Sequence, residues 1–275
     1  MSPRKSEAEL PVLIEDPVKL AEREAQNALG QFDWGMQRVE DYLAGEGEIL
    51  RVSILLNLHR QAMEGIDQYA GNFRPDAVAI SGSSHQPVAG RDVPLLVEEM
   101  LEYLSSNWAS KSAYHLSAYA MWRLNWIHPF ADGNGRTSRI LSYMVMCAKI
   151  GYRIPGSNTI PEQISLNKEP YYQALEVADA AYQDRRVDVS AMEELLQKYL
   201  ANQLLDVHKL ASGETSPIAD KIKDRSAKVG VTRESQLVRA SRELKKSVFR
   251  TIEDHPAMVT IVVGAAAILV AILLA

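Results

Sequence analysis

His128-Pro129-Phe130-Ala131-Asp132-Gly133-Asn134-Gly135-Arg136-Thr137-Ser138-Arg139 lies between two segments with helical apolar spacing. Gly133 and Gly135 flank Asn134 just ahead of the second helix, where glycine lets backbone turn tightly and approach a ligand. The first amides of that helix point outward and favour an anion, aided by the helix dipole. Arg136 and Arg139 are spaced i, i+3, so two guanidinium forks project beside this anion nest, as a polyphosphate requires. Asp132 is a hard carboxylate suited to Mg²⁺ held against phosphate oxygens. His128 is the group here that can exchange a proton near neutral pH. Singly, each residue has a duller reading: a structural His, a turn, a solvated helix face. Their ordered occurrence together is what points to chemistry.

Outward from this stretch, the body reads as mainly α-helical. Apolar residues recur at helical spacing over 17–43 and 48–65, with Gly45 and Gly47 breaking the first and Gly65 ending the second. Residues 71–92 change character: Gly71, Pro75, Gly82, Pro87 and Gly90 punctuate Val78-Ala79-Ile80, which predicts a short β-hairpin or loop. Helices are predicted again over 93–106, 112–126, 136–150, 168–183 and 188–205. No repeat at a period of 20–50 residues is visible, which excludes a solenoid.

The C-terminal part differs. Residues 207–256 hold eleven Lys/Arg against seven Asp/Glu, with Ser212-Gly213 and Ser216-Pro217, and read as a charged stalk. Residues 257–275 run nineteen positions without a charge. As a helix they would span about 28 Å, close to the roughly 30 Å of a bilayer's hydrocarbon. They are expected to be a transmembrane anchor, and Lys245, Lys246 and Arg250 before them orient the body toward the cytoplasm. The resulting organisation is an N-terminal helical extension (1–49), a catalytic domain (50–205), a stalk (206–256) and an anchor (257–275). A net charge of −5 argues against a general nucleic-acid binder, and the single cysteine, Cys147, excludes an internal disulfide. Residues 1–20 contain no signal-peptide apolar core.

The stretch 128–139 resembles the Fic family signature, His-Pro-Phe-x-(Asp/Glu)-Gly-Asn-Gly-Arg-x-x-Arg, at every specified position. The resemblance extends over about residues 50–205. Gly71-Asn72-Phe73-Arg74, Val78-Ala79-Ile80, Gly82, Pro87 and Val93-Pro94 resemble the family's flap and its approach, and Tyr171-Tyr172 its later helix at the nucleotide. It implies a Fido helical bundle with a β-hairpin flap, and a protein adenylyltransferase that moves AMP from Mg²⁺·ATP to a Ser, Thr or Tyr hydroxyl. In these terms His128 is the base and Asp132 holds Mg²⁺. Amides of Gly133–Gly135 and the Asn134 side chain form the anion hole. Arg136 and Arg139 clamp the β- and γ-phosphates, Thr137 and Ser138 belong to the same nucleotide-binding turn, and Phe130 anchors the loop. Tyr171 and Tyr172 either line the adenine pocket or pack the helix. The target docks its extended backbone on the flap around Val78–Pro87.

Relatives that phosphorylate their targets carry lysine at the place of Gly135, so Gly135 favours AMP transfer. UMP transfer, phosphocholine transfer, and a non-catalytic nucleotide-binding membrane scaffold stay open. The family's inhibitory pattern, (Ser/Thr)-x-x-x-Glu-(Gly/Asn), is not completed by Ser165…Glu169-Pro170 or by Ser190…Glu194-Leu195. Inhibition is then absent in cis, supplied by a separate protein, or supplied by a degenerate helix, with Glu46, Glu48 and Glu194 as first candidates.

Overall fold

The computed structural model describes residues 5–7 and 13–212. Its elements run β1 (Lys5–Glu7), α1 (Pro17–Leu43), α2 (Val52–Met63), β2 (Ala79–Ser81), α3 (Val93–Ser106), α4 (Ala113–Ile127), α5 (Asn134–Ile150), α6 (Ile160–Leu166), α7 (Glu169–Gln183) and α8 (Ser190–Ser212). A single 3₁₀ turn, Gly90–Asp92, leads into α3. The architecture is mainly helical, as the apolar spacing predicts. The stalk beyond residue 212 and the anchor at 257–275 lie outside the described residues. Among the described residues no helix is long and apolar enough to cross a membrane.

Chain contacts gather into two units. The first holds residues up to Arg153 together with Ile164–Leu196; the second holds Ile154–Gln163 and residues from Gln197 on. At the centre of the first unit, α4 and α5 pack against each other, joined by the loop 128–133. Both are apolar almost all round, which requires burial on every side. Leu116 through Leu124 are buried without interruption, as are Ile140 through Ala148. Helix α1 packs on α2 and α5. It begins at Asp16, whose carboxylate accepts from the amides of Val18 and Lys19, with Pro17 in the first turn. Gly35 lets it approach closely, since a Cβ there would stand 3.0 Å from Ile140. The Gln31 side chain ties it to α2 by donating to the Leu58 carbonyl at 3.0 Å. In the second unit, Gln203 donates to the Pro155 carbonyl and its oxygen accepts from the Ile160 amide.

Three expectations change. No hairpin forms within 71–92. Instead β2 pairs antiparallel with β1, in the register Lys5↔Ser81, Ser6↔Ile80, Glu7↔Ala79. Pro75 and Pro87 cannot donate to a ladder, and Gly82 turns the chain at φ 71°, so only three residues of the flap stay extended. Helix α5 begins at Asn134 rather than 136, because Gly133 takes a left-handed φ of 78° and caps it. Helix α8 continues to Ser212, past the expected boundary at 205.

Candidate functional site

The loop 128–133 is built by local hydrogen bonds. The Asn134 side chain accepts from the Phe130 amide at 2.9 Å and donates to the Phe130 carbonyl at 2.8 Å. Phe130 is fully buried and stacks on His59 of α2, with ring centroids 3.7 Å apart and planes within 5°. Gly133 leaves no room above this stack. A Cβ there would meet Met63 Sδ at 2.7 Å. Asn134 therefore supplies a clamp for the loop. One of its two amide N–H groups is given to the Phe130 carbonyl.

His128 caps α4 in the left-handed region, at φ 53° and ψ 58°, a conformation that costs a β-carbon-bearing residue energy unless its surroundings hold it. Arg74 does so. Its Nε donates to the His128 carbonyl at 2.7 Å, its backbone amide donates to Pro129, and its guanidinium also reaches the carbonyls of Asp76 and Val88. One buried cation thus ties the flap approach to the loop 128–133. The His128 ring is buried, and its Nδ1–H donates to the Asn125 carbonyl at 3.4 Å, which puts the basic lone pair on Nε2. Burial, opposed by the Asn125 bond and assisted by Arg74 and His85, pulls its pKa down to about 4.

A cleft of 680 Å³ opens beside it, a size common for small-ligand sites. Helix α1 contributes Leu20, Glu24, Ala25 and Ala28. The flap region contributes Ile80, Ser83 and His85, and the loop and α5 contribute His128, Asp132–Arg136 and Arg139. Lys168, Tyr171, Tyr172 and Leu175 close the far wall. The first amide-to-carbonyl bond of α5 runs from Thr137 to Gly133 at 2.9 Å, so the amides of 134–136 precede the ladder. A helix N-terminus, two arginines and Lys168 then surround one end of the cleft. Gly135 keeps that end open, since a Cβ there would stand 3.2 Å from Arg139 Nη1. Arg136 bonds two carboxylates, Asp132 at 3.0 Å and Glu24 at 3.2 Å. Among the described residues no carboxylate lies within ion-pair distance of Arg139, whose pKa burial pushes down.

Thr137 and Ser138 do not line the cleft. Both are fully buried, and Ser138 accepts from Asn125 at 2.7 Å and donates to the Gly135 carbonyl. The bond from Asn125 turns the Ser138 hydroxyl toward α4. Tyr171 and Tyr172 are both buried and both on the cleft wall, and the Tyr171 hydroxyl sits 3.5 Å from Ser138 Oγ. Glu46, Glu48 and Glu194 are all exposed, and Glu48 pairs with Arg51. None of them lines the cleft. Two acids outside the motif do so, Glu24 and Asp179, neither of which the sequence singled out, and Asp179 accepts from Trp122 Nε1 at 2.8 Å.

His59 was also not singled out, and carries no local signal. Its Nδ1 accepts from the Gly71 amide at 3.0 Å, so its Nε2–H must donate to the Asp132 carbonyl, also at 3.0 Å. Burial lowers its pKa to about 4. For Mg²⁺, the loop offers the carboxylate of Asp132, and no cluster of three or more potential ligands gathers among the described residues. That fits an ion held chiefly by substrate phosphates, the usual Mg²⁺ arrangement.

Residues 49–146 match the model of the Fic/DOC family. Protein adenylyltransferase Fic of Drosophila persimilis is 32% identical over 155 residues, which is 56% of this chain and 28% of that protein. The Drosophila willistoni protein of the same name is 31% identical over 155 residues, 56% of this chain and 29% of its own length. The chain thus spans less than a third of these relatives. A fragment of Fic-1 from C. elegans superposes with a TM-score of 0.52 at 19% identity, over 73% of this chain and 55% of that one, which shows the shared fold. Together these support a Fic/DOC-type domain within the chain.

The two depressed histidines predict how stability depends on pH. The unfolded chain binds protons at both rings below their ordinary value of 6.5, while the folded chain does not until about 4. Stability is therefore fully present above pH 6.5 and falls as pH drops toward 4. Urea unfolding across this range should show the decline, and His59→Gln should make it shallower. An unchanged slope in that variant contradicts the assignment.

Proposed function

We propose that this chain transfers AMP from Mg²⁺·ATP to a Ser, Thr or Tyr hydroxyl of a target protein. The observation that carries this reading is the placement of His128, neutral at physiological pH, at the rim of a cleft whose floor is the open N-terminus of α5 flanked by Arg136 and Arg139. A target segment lies along the flap around Val78–Pro87 and presents its hydroxyl to His128 Nε2. The hydroxyl oxygen attacks the α-phosphorus, Nε2 takes its proton, and the bond from that phosphorus to the bridging oxygen breaks. Pyrophosphate leaves toward the guanidinium groups and Lys168. Amides of residues 134–136 meet the charge on the non-bridging oxygens, where fixed donors act without reorganisation. When bound, Mg²⁺ neutralises phosphate charge, and Asp132 would hold it.

Gly135 favours AMP over γ-phosphoryl transfer, because any side chain there crowds Arg139 and fills the space the α-phosphate needs. UMP or phosphocholine as the transferred group remains the competing reading, and a non-catalytic nucleotide-binding scaffold is the reading without chemistry. Glu24 supports inhibition in cis as an alternative to a separate inhibitor protein, since its carboxylate occupies Arg136 and repels an arriving phosphate. Residues 257–275 carry a separate proposal of membrane anchorage with the body facing the cytoplasm. It rests on their uncharged length alone.

With ATP labelled on the α-phosphorus, label should pass to protein in a lysate; with label on the γ-phosphorus it should not. His128→Ala should lower the rate on the order of 10²–10⁴-fold. Transfer of γ-label, or undiminished transfer by the variant, counts against the mechanism. Glu24→Ala should raise transfer several-fold, consistent with the roughly 1 kcal/mol of a half-exposed ion pair. A slower Glu24→Ala enzyme would show that this acid assists binding instead. Deleting 257–275 should move the protein from the membrane to the soluble fraction with transfer intact, and a full chain already soluble without detergent contradicts the anchor.

A further inference from the structure

Arg123 lies on α4 with only 4% of its surface exposed, and its Nε and Nη1 are buried without a hydrogen-bond partner among the described residues. Among those residues it joins no ion pair. The guanidinium is instead enclosed by rings: Trp126 at 4.4 Å, Tyr182 at 4.8 Å and Trp122 at 5.8 Å from its central carbon. The rings brace one another edge-on, Tyr182 standing at 78° to Trp126 and at 69° to Trp122. Aromatic faces attract a cation, yet they do not replace the hydrogen bonds that two buried nitrogens gave up on leaving water. An apolar side chain of the same volume would fill this space at less cost to stability. What the charge contributes is directional: it fixes three rings around one point.

Trp126 passes that order to the site. It lines the cleft, its ring stands 5.6 Å from that of His85, and its carbonyl accepts from His85 Nε2–H at 2.7 Å. His85 belongs to the flap, where its amide donates to Ser83 Oγ. The neighbouring carbonyl, that of Asn125, accepts from His128 Nδ1–H. Two consecutive carbonyls at the end of α4 thus hold the flap and His128. We infer that Arg123 is a positioning residue: through Trp126 it sets where the flap stands relative to His128. The placement of the flap stands on these contacts, and its consequence for catalysis rests on the reading of the site as an AMP transferase. A hydroxyl carried by a flap-bound segment has to come within about 3 Å of His128 Nε2. A loosened flap therefore impairs use of the target and leaves the nucleotide site at the start of α5 intact.

Arg123→Met removes the charge and keeps an unbranched chain in the cage. In this variant of the full chain the midpoint of urea unfolding should hold or rise, and Mg²⁺·ATP affinity measured by calorimetry should be unchanged. Backbone amides of 79–88 should exchange with deuterium several-fold faster, with those of α5 as slow as before. With α-labelled ATP and casein, an extended hydroxyl-rich bait, KM for casein should rise several-fold while KM for ATP stays. His85→Ala should loosen the flap to a similar extent, and combining the two should add little, since both act along one chain of contacts. An Arg123→Met chain that fails to fold, or that exchanges faster throughout, makes Arg123 a residue of the core alone and overturns the inference. A flap exchanging at the wild-type rate, or two variants whose effects simply add, overturns it as well. A loosened flap with unchanged KM for casein overturns the link to the acceptor. If wild type passes no α-label to any protein, the transferase reading fails, and the exchange and double-variant measurements still decide whether Arg123 places the flap.

Discussion

The bonds between the Asn134 side chain and both backbone groups of Phe130 determine the site. They close the loop into a fixed ring of residues at the start of α5. With the loop closed, Phe130 is driven into the core onto His59, Gly133 is pressed under Met63, and His128 is carried into the left-handed region at the end of α4. A buried side-chain amide with both functions satisfied is rigid, because leaving either unpaired costs on the order of 1–3 kcal/mol. The ring that holds His128 and the amides that face the cleft are therefore parts of one object.

Arg74 connects that object to the flap. Its guanidinium spends its donors on three backbone carbonyls, one in the loop and two on either side of β2. The loop and both sides of β2 are held together through this single buried cation. At the opposite end, Arg136 is shared between Asp132 and Glu24, while Arg139 has no acidic partner among the described residues. The positive end of the cleft is thus partly neutralised before any ligand arrives. The α1 carboxylate of Glu24 is the group that holds Arg136 there from outside the loop.

Much of the fold is legible locally. The spacing of apolar residues gives α1, α3, α4, α5 and α7 nearly to their ends, and the start of α8, because helix propensity, caps and amphipathic period are properties of neighbouring residues. The flap is where that reasoning runs out. Proline and glycine mark the break, but the partner strand comes from more than seventy residues away, and strand pairing leaves no local trace. The same holds for His59, whose two hydrogen bonds reach Gly71 and Asp132, and for Glu24, one of several glutamates on a helix with nothing in its neighbourhood to single it out.

By itself, the sequence determined which residues are placed to form the site: the order His128, Asp132, Gly133, Gly135, Arg136 and Arg139 sets an imidazole, a carboxylate, two glycines and two guanidinium groups along one loop and the helix turn after it. It did not determine what each side chain faces. Only the tertiary structure turned Asn134, Thr137 and Ser138 inward, brought Glu24 to Arg136 and laid Lys5–Glu7 along the flap. The physical reason is separation. Chemistry within one turn of helix is fixed by spacing, whereas contacts between α1, the flap and α5 exist only once the α4–α5 core has packed and set the distances between them.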